Sequence, residues 1–186
     1  LDGNYPTATG NVALGDTALD DGSLSGNYNT AIGSATLTAN TSGASNTAVG
    51  SGALVANTTA NNNTGVGLSA LAANTTGANN TAVGAGSMDA NSTGGNSNAV
   101  GKSSLGANTT GGSNVAIGEN ALFANTTGAN NTAVGLNAMV SNTTAANNVA
   151  VGQAALYANT TGTQNVAMGS LALDANTTAN SNVAIG

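Results

Sequence analysis

The chain has 186 residues, seven acids, one cation and no His, Cys or Trp, for a net charge of −6. With Lys102 as its only cation it has no electrostatic footing on a phosphate backbone, so no nucleic-acid partner is expected. Without His or Cys it lacks the usual zinc and haem ligands, a His-based triad and a thiol nucleophile. Leu, Ile, Val and Phe number only 31, below the ~20% typical of a chain with a generous core. The low net charge argues against simple disorder. Composition leaves a low-complexity polar chain or a repeat that buries small residues.

The first segment, 1–33, is irregular. It opens with LDGNYPT, which carries no signal-peptide pattern, and the chain is expected to be a processed or excised fragment. No apolar run approaches the ~18–20 residues of a membrane span. A small-apolar-Gly landmark falls at Gly15 and Gly33, an 18-residue interval, with the additional residue near Asp20, Asp21 and Gly22. From Gly33 to Gly186 every interval is 17, so residues 34–186 hold nine regular repeats. The consensus is N-[TV]-A-[VI]-G-x-x-A-L-x-A-N-T-T-G-x-N, and it predicts one continuous rod.

Within each repeat the N-[TV]-A-[VI]-G segment alternates as a strand does. Val49, Val66, Val83, Val100, Ile117, Val134 and Val151 share one face with the Thr or Val two residues earlier. The residue between them is Ala or Gly in every regular repeat. Both faces are therefore restricted, one by hydrophobicity and one by size. Which of them meets a partner chain is left open by the pattern. Four residues after the Gly comes a large apolar residue, as at Leu54, Leu71, Leu122 and Leu156. It is read as part of a second short extended segment. The position after it accepts Val55, Asp89, Phe123 or Tyr157 and so faces solvent. The N-T-T-[GA] element then supplies turn residues. Its Asn57, Asn74, Asn125 and Asn159 are expected to stack as a side-chain ladder. A helical turn per repeat is the competing reading, but Gly and β-branched Thr recur too often and no helical period is sustained.

These features predict an all-β parallel solenoid of 17-residue coils. At ~4.8 Å per coil, ten intervals give a rod of roughly 50 Å. One Leu, one Val or Ile and several Ala per coil make a thin core, so association through the second strand face is expected to add burial.

The strand motif, as in Asn114-Val115-Ala116-Ile117-Gly118-Glu119-Asn120-Ala121, resembles the head repeat of YadA-type trimeric autotransporter adhesins. The longer N-T-A-[VI]-G…A-L…N-T-T-G form is similar to repeat tracts in phage and bacterial trimeric fibre proteins. The resemblance covers Asn11 to Gly186. It implies a left-handed β-roll, a homotrimer, and a cell-surface, extracellular or virion location, with a host receptor or cell surface as a further partner. The period exceeds that of the usual head repeat by residues that fall in the N-T-T-G loop. No neck, coiled coil or anchor lies within these residues.

Candidate sites are few. Asp16, Asp20 and Asp21 could offer oxygen ligands to calcium, but their spacing matches no calcium loop, and solvated turn acids are expected. Asp89, Glu119 and Asp174 fall in different coils, so no paired-carboxylate site is expected. Neither a cofactor nor a metal is expected, and the chain is read as not being an enzyme. The nine Asn-x-Ser/Thr sequons of the N-T-T-[GA] elements, one per repeat from Asn40 to Asn176, are read as turn chemistry first and glycan acceptors second. Tyr5, Tyr28, Phe123 and Tyr157 are too scattered for a sugar-stacking platform. The expected role is structural: a rigid rod in an extracellular or virion fibre, an adhesin head or shaft that spaces and presents binding tips. The alternatives are an end-to-end self-assembling filament subunit, and a Thr/Asn surface that binds ice or glycan.

Overall fold

A computed structural model describes residues 8–186, so Tyr5 and the first seven residues of the irregular segment lie outside it. The strands are β1 Val12–Leu14, β2 Thr30–Ile32, β3 Thr47–Val49, β4 Thr64–Val66, β5 Thr81–Val83, β6 Asn98–Val100, β7 Val115–Ile117, β8 Thr132–Val134, β9 Val149–Val151, β10 Val166–Met168 and β11 Val183–Ile185. They pair in sequence order into one eleven-stranded parallel sheet. The register is one repeat per coil, so that Thr47 faces Thr64 and Val49 faces Val66. The protein is a β-solenoid of about ten turns, with 17 residues per turn.

The strand is short because a glycine ends it. Gly118, which follows β7, adopts φ 132°, a region that L side chains rarely occupy. A Cβ on it would stand 2.5 Å from the Gly135 carbonyl oxygen of the next coil. The landmark glycine is thus required twice over, by its own conformation and by the close stacking of coils.

The segment around the Leu is not extended, contrary to the sequence reading. After Gly50 the chain makes a run of turns, closed by Ala53 N–H to Gly50 C=O, Val55 N–H to Gly52 C=O and Asn57 N–H to Leu54 C=O. Gly52 (φ 68°) and Leu54 (φ 52°) are both left-handed. A left-handed residue other than Gly or Asn costs about 1–2 kcal/mol. Leu54 offsets this by burying its whole side chain, worth about 1.5–3 kcal/mol. Coils remain bonded through this stretch in both directions. Leu54 N–H donates forward to Ala70 C=O at 3.0 Å, and Ser69 N–H donates back to Ser51 C=O at 2.9 Å.

The interior is lined by five kinds of file. These are the strand-centre Ala, the Ala or Ser of the turn run, the Leu or Met, and two files of Asn, all fully buried through the middle coils. The size-restricted strand face is therefore the inner one. The first coil departs from this plan. Its Leu24 is buried and donates its N–H to Asp21 C=O as Asn40 N–H donates to Leu37 C=O one coil later. An apolar side chain thus stands at the head of the first Asn file.

Candidate functional site

The first Asn file is the one the N-T-T-G element supplies. Asn74 Nδ2 donates to Asn57 Oδ1 at 3.1 Å and to Gly77 C=O at 2.9 Å. Asn91 Nδ2 then donates to Asn74 Oδ1 at 2.8 Å. The pattern repeats through Asn125 and Asn159, whose Nδ2 groups reach Asn108 and Asn142 at 2.9 and 3.1 Å. Both amide hydrogens and the carbonyl oxygen are used at every inner rung.

The second file, absent from the sequence reading, starts each strand. Asn46 Oδ1 accepts the backbone N–H of Asn63 at 3.0 Å. Asn63 Nδ2 donates to Gly77 C=O at 2.9 Å. The Gly77 carbonyl, with two lone pairs, takes one hydrogen from each file. Among the described residues no buried side-chain nitrogen or oxygen lacks a partner, as buried polar groups require. The file has one irregular rung. Ser97 replaces Asn in β6's coil, and its Oγ accepts the Asn114 N–H at 3.1 Å. It is too short to reach Gly111, whose carbonyl keeps only the bond from Asn108 Nδ2 at 2.9 Å.

This geometry decides the sequons of the first Asn file, though not those of Asn62, Asn79 and Asn130, which are exposed. The side chains of Asn40 through Asn159 are wholly buried in the folded rod, and their amides are hydrogen-bonded. They are structural rungs and are closed to a glycan-transferring enzyme in the folded state.

The outer surface offers two regular features. The first is the outward face of the sheet, where the Val/Ile file stands beside the Thr/Val file. Val49, Val66, Val134 and Val151 are half-buried, whereas Val83, Val100 and Ile117 are 37%, 41% and 43% exposed. The Val/Ile file runs the length of the rod as an apolar line, beside a file that is Thr or Asn in β2 to β6 and β8 and Val in the other strands. A monomeric surface seldom carries a continuous apolar line of this extent without a use for it. The second feature lies on the N-T-T-G side. Thr58 is half-buried, and its Oγ1 donates to Thr75 C=O at 3.2 Å. The next residue, Thr59, is exposed, and Thr76, Thr93, Thr110 and Thr127 follow it in file. Beside them Asn62 and Asn79 pass an exposed amide bond along the rod, Asn62 Nδ2 to Asn79 Oδ1 at 3.2 Å.

The charged residues do not converge. Asp21 Oδ1 accepts the N–H of Ser23 at 2.8 Å and also its hydroxyl. The hydroxyl bond, followed by the backbone bond, holds the Asp21 carboxyl below its ordinary range. Burial pushes Asp89 above it. Lys102 and Glu119 form an exposed pair at 3.5 Å, worth little in water. Among the described residues no group of three His, Cys, Asp or Glu could hold a metal ion. Among the described residues no helix is long and apolar enough to cross a membrane.

No family model, curated protein or solved structure matches the chain. Its reading therefore rests on the geometry of the outward sheet face and on the repeat motif.

Proposed function

We propose that this chain is the rod of an extracellular or virion fibre, acting mechanically to space and present a binding tip. The observation that carries the proposal is the apolar file on the outward sheet face, continuous over eleven strands of a solenoid whose interior is already closed by Ala, Leu and Asn. An inner core complete in itself leaves this face for other chains. The similarity of the N-[TV]-A-[VI]-G repeat to YadA-type heads and phage fibre tracts supports three copies and a left-handed coil.

Such a rod needs no chemistry. Its stiffness comes from backbone bonds between every pair of coils and from two amide ladders parallel to its axis. Light scattering coupled to size exclusion tests the reading. A mass of three chains with β-type circular dichroism is expected, and a folded single-chain mass at tens of micromolar overturns it.

A second reading rests on the exposed Thr file from Thr59 onward. Hydroxyl and methyl groups repeated at the ~4.8 Å coil spacing suit an ordered water or ice surface. Thermal hysteresis at millimolar protein would favour it, and would be abolished by Thr93→Lys with Thr110→Lys.

A further inference from the structure

We infer that this chain has to fold before any asparagine-glycosylating enzyme reaches it, and that it is therefore made in a compartment without one. The inference goes beyond the fibre reading and does not depend on it. Its ground is the division of the sequons into two classes, one inside the coil and one outside.

The inner class is the first Asn file. The rung and the two turn residues after it are the same three positions that such an enzyme reads. From Asn40 to Asn159 every rung is 0% exposed. Glycosylation joins the Asn Nδ2 to C1 of a sugar carried on a lipid pyrophosphate. The N–C bond forms, the C–O bond to the pyrophosphate breaks, Nδ2 gives up one proton and the lipid pyrophosphate leaves. A rung so modified keeps one N–H where the fold uses two. Asn91 Nδ2 donates to Asn74 Oδ1 at 2.8 Å and to Gly94 C=O at 3.0 Å, and one of these bonds is lost. The sugar ring would also have to stand in a close-packed interior, between amides already in contact. One modified rung therefore holds its coil open, and the coils on either side lose the neighbour they stack on. In the unfolded chain nothing hides these sequons. An enzyme acting on the emerging chain modifies the side chains that the fold needs bare.

The outer class is Asn62, Asn79 and Asn130, each followed by a second Asn and the Thr that opens a strand. All three are exposed. Asn62 and Asn79 make only surface amide bonds, to Asn79 and Asn96 at 3.2 Å each. A glycan here points into solvent and leaves every rung intact. Asn62 and Asn79 stand one coil apart, ~4.8 Å, so the pair accommodates one glycan, and Asn130 lies three coils further on, roughly 14 Å away. These are the positions at which the finished rod tolerates a glycan.

The third residue of an inner sequon is exposed, as at Thr76 and Thr93, so the sequon can be removed without touching its rung. The test expresses the full chain behind a secretory leader in a eukaryotic host. The unaltered chain is expected to carry glycans on rung asparagines and to lack both β-type circular dichroism and protease resistance. Blocking synthesis of the lipid-linked oligosaccharide in that host is expected to restore both, with no substitution made. Changing the third residue of all nine inner sequons to Ala is expected to restore both as well, with any glycan confined to Asn62, Asn79 and Asn130.

A folded secreted chain whose mass spectrum places a glycan on Asn74, Asn91 or Asn108 overturns the inference. So does a folded secreted chain with bare rungs under unblocked conditions, because folding then outruns the enzyme. A chain that stays unfolded when the oligosaccharide donor is blocked overturns it too, since the cause then lies outside the sequons.

Discussion

The side-chain amides of Asn63 and Asn74 meet at one oxygen, the carbonyl of Gly77, each at 2.9 Å. The two residues belong to different files, one opening the strand and one opening the N-T-T-G turn. Their junction ties the strand side of the coil to its turn side in every regular repeat but one. That exception makes the tie measurable.

At Gly111 the carbonyl is held by Asn108 alone, because Ser97 lacks the amide that Asn63 supplies at Gly77. Asn108→Ala therefore leaves this buried carbonyl without a partner, whereas Asn74→Ala leaves Gly77 its bond from Asn63. An orphaned buried acceptor costs about 1–3 kcal/mol. Urea melts are expected to show Asn108→Ala as the more damaging substitution by about that amount. Equal losses would show that the shared acceptor has no energetic weight.

The reverse change should be beneficial. Ser97→Asn restores the missing donor to Gly111 and supplies Asn114 with the carbonyl acceptor found at the other rungs. One added buried bond is worth about 1 kcal/mol, or roughly 2–4 °C in a chain of this size. A thermal scan is the check, and a lower midpoint would mean that the Ser97 coil has no room for an amide.

Core and outer face should fail differently. Leu122 is wholly buried, so Leu122→Ala is expected to cost about 2–5 kcal/mol and to weaken the β-type dichroism. Val134 is half-buried on the outward face. Val134→Asp is expected to keep the dichroism of the single chain while abolishing the multi-chain mass, and Tyr157→Ser should do neither. Loss of folding in Val134→Asp would place that side chain in the core.

Stability is expected to be flat between about pH 6 and 9, because the chain has no His. In the acid range two carboxyls oppose each other. Asp21 titrates lower in the fold, so its contribution is present above its unfolded pKa and lost as pH falls through the folded one. Asp89 titrates higher, so the fold gains from its protonation as pH falls and loses as pH rises through the folded pKa. Asp89→Asn is expected to raise the melting temperature slightly at pH 7, by less than about 1 kcal/mol for a largely exposed group, and to leave it unchanged at pH 3. A shift of equal size at both pH values would assign the effect to packing.

Much of the architecture was legible because a strict 17-residue period forces like onto like. The strand, the glycine that ends it and the Asn57 file could each be named from position alone. The Leu54 segment was misread for a physical reason. Nothing in a Leu announces a left-handed backbone, which its own Cβ disfavours, and only the stacking of coils makes it worthwhile. The Asn46 file was hidden because an Asn at the head of a strand reads as a boundary residue. Its partners, Asn63 N–H and the Ala60 carbonyl, lie 17 and 14 residues away. The two restricted strand faces could not be ranked by composition. Ala48 fits inside the coil only because Leu54 and the Asn rungs already fill the rest.

Leu24 at the head of the first Asn file has a consequence for how such a chain can change length. The single additional residue of the molecule falls near Asp20, Asp21 and Gly22, in the coil where an apolar side chain has replaced the rung. Anywhere further along, one inserted residue would displace an Asn, a Leu and a glycine from their columns at once. Whole units of 17 residues could be added or removed with every column intact. Length in this protein is a quantised property, adjustable by duplication or deletion of complete coils and resistant to every smaller step.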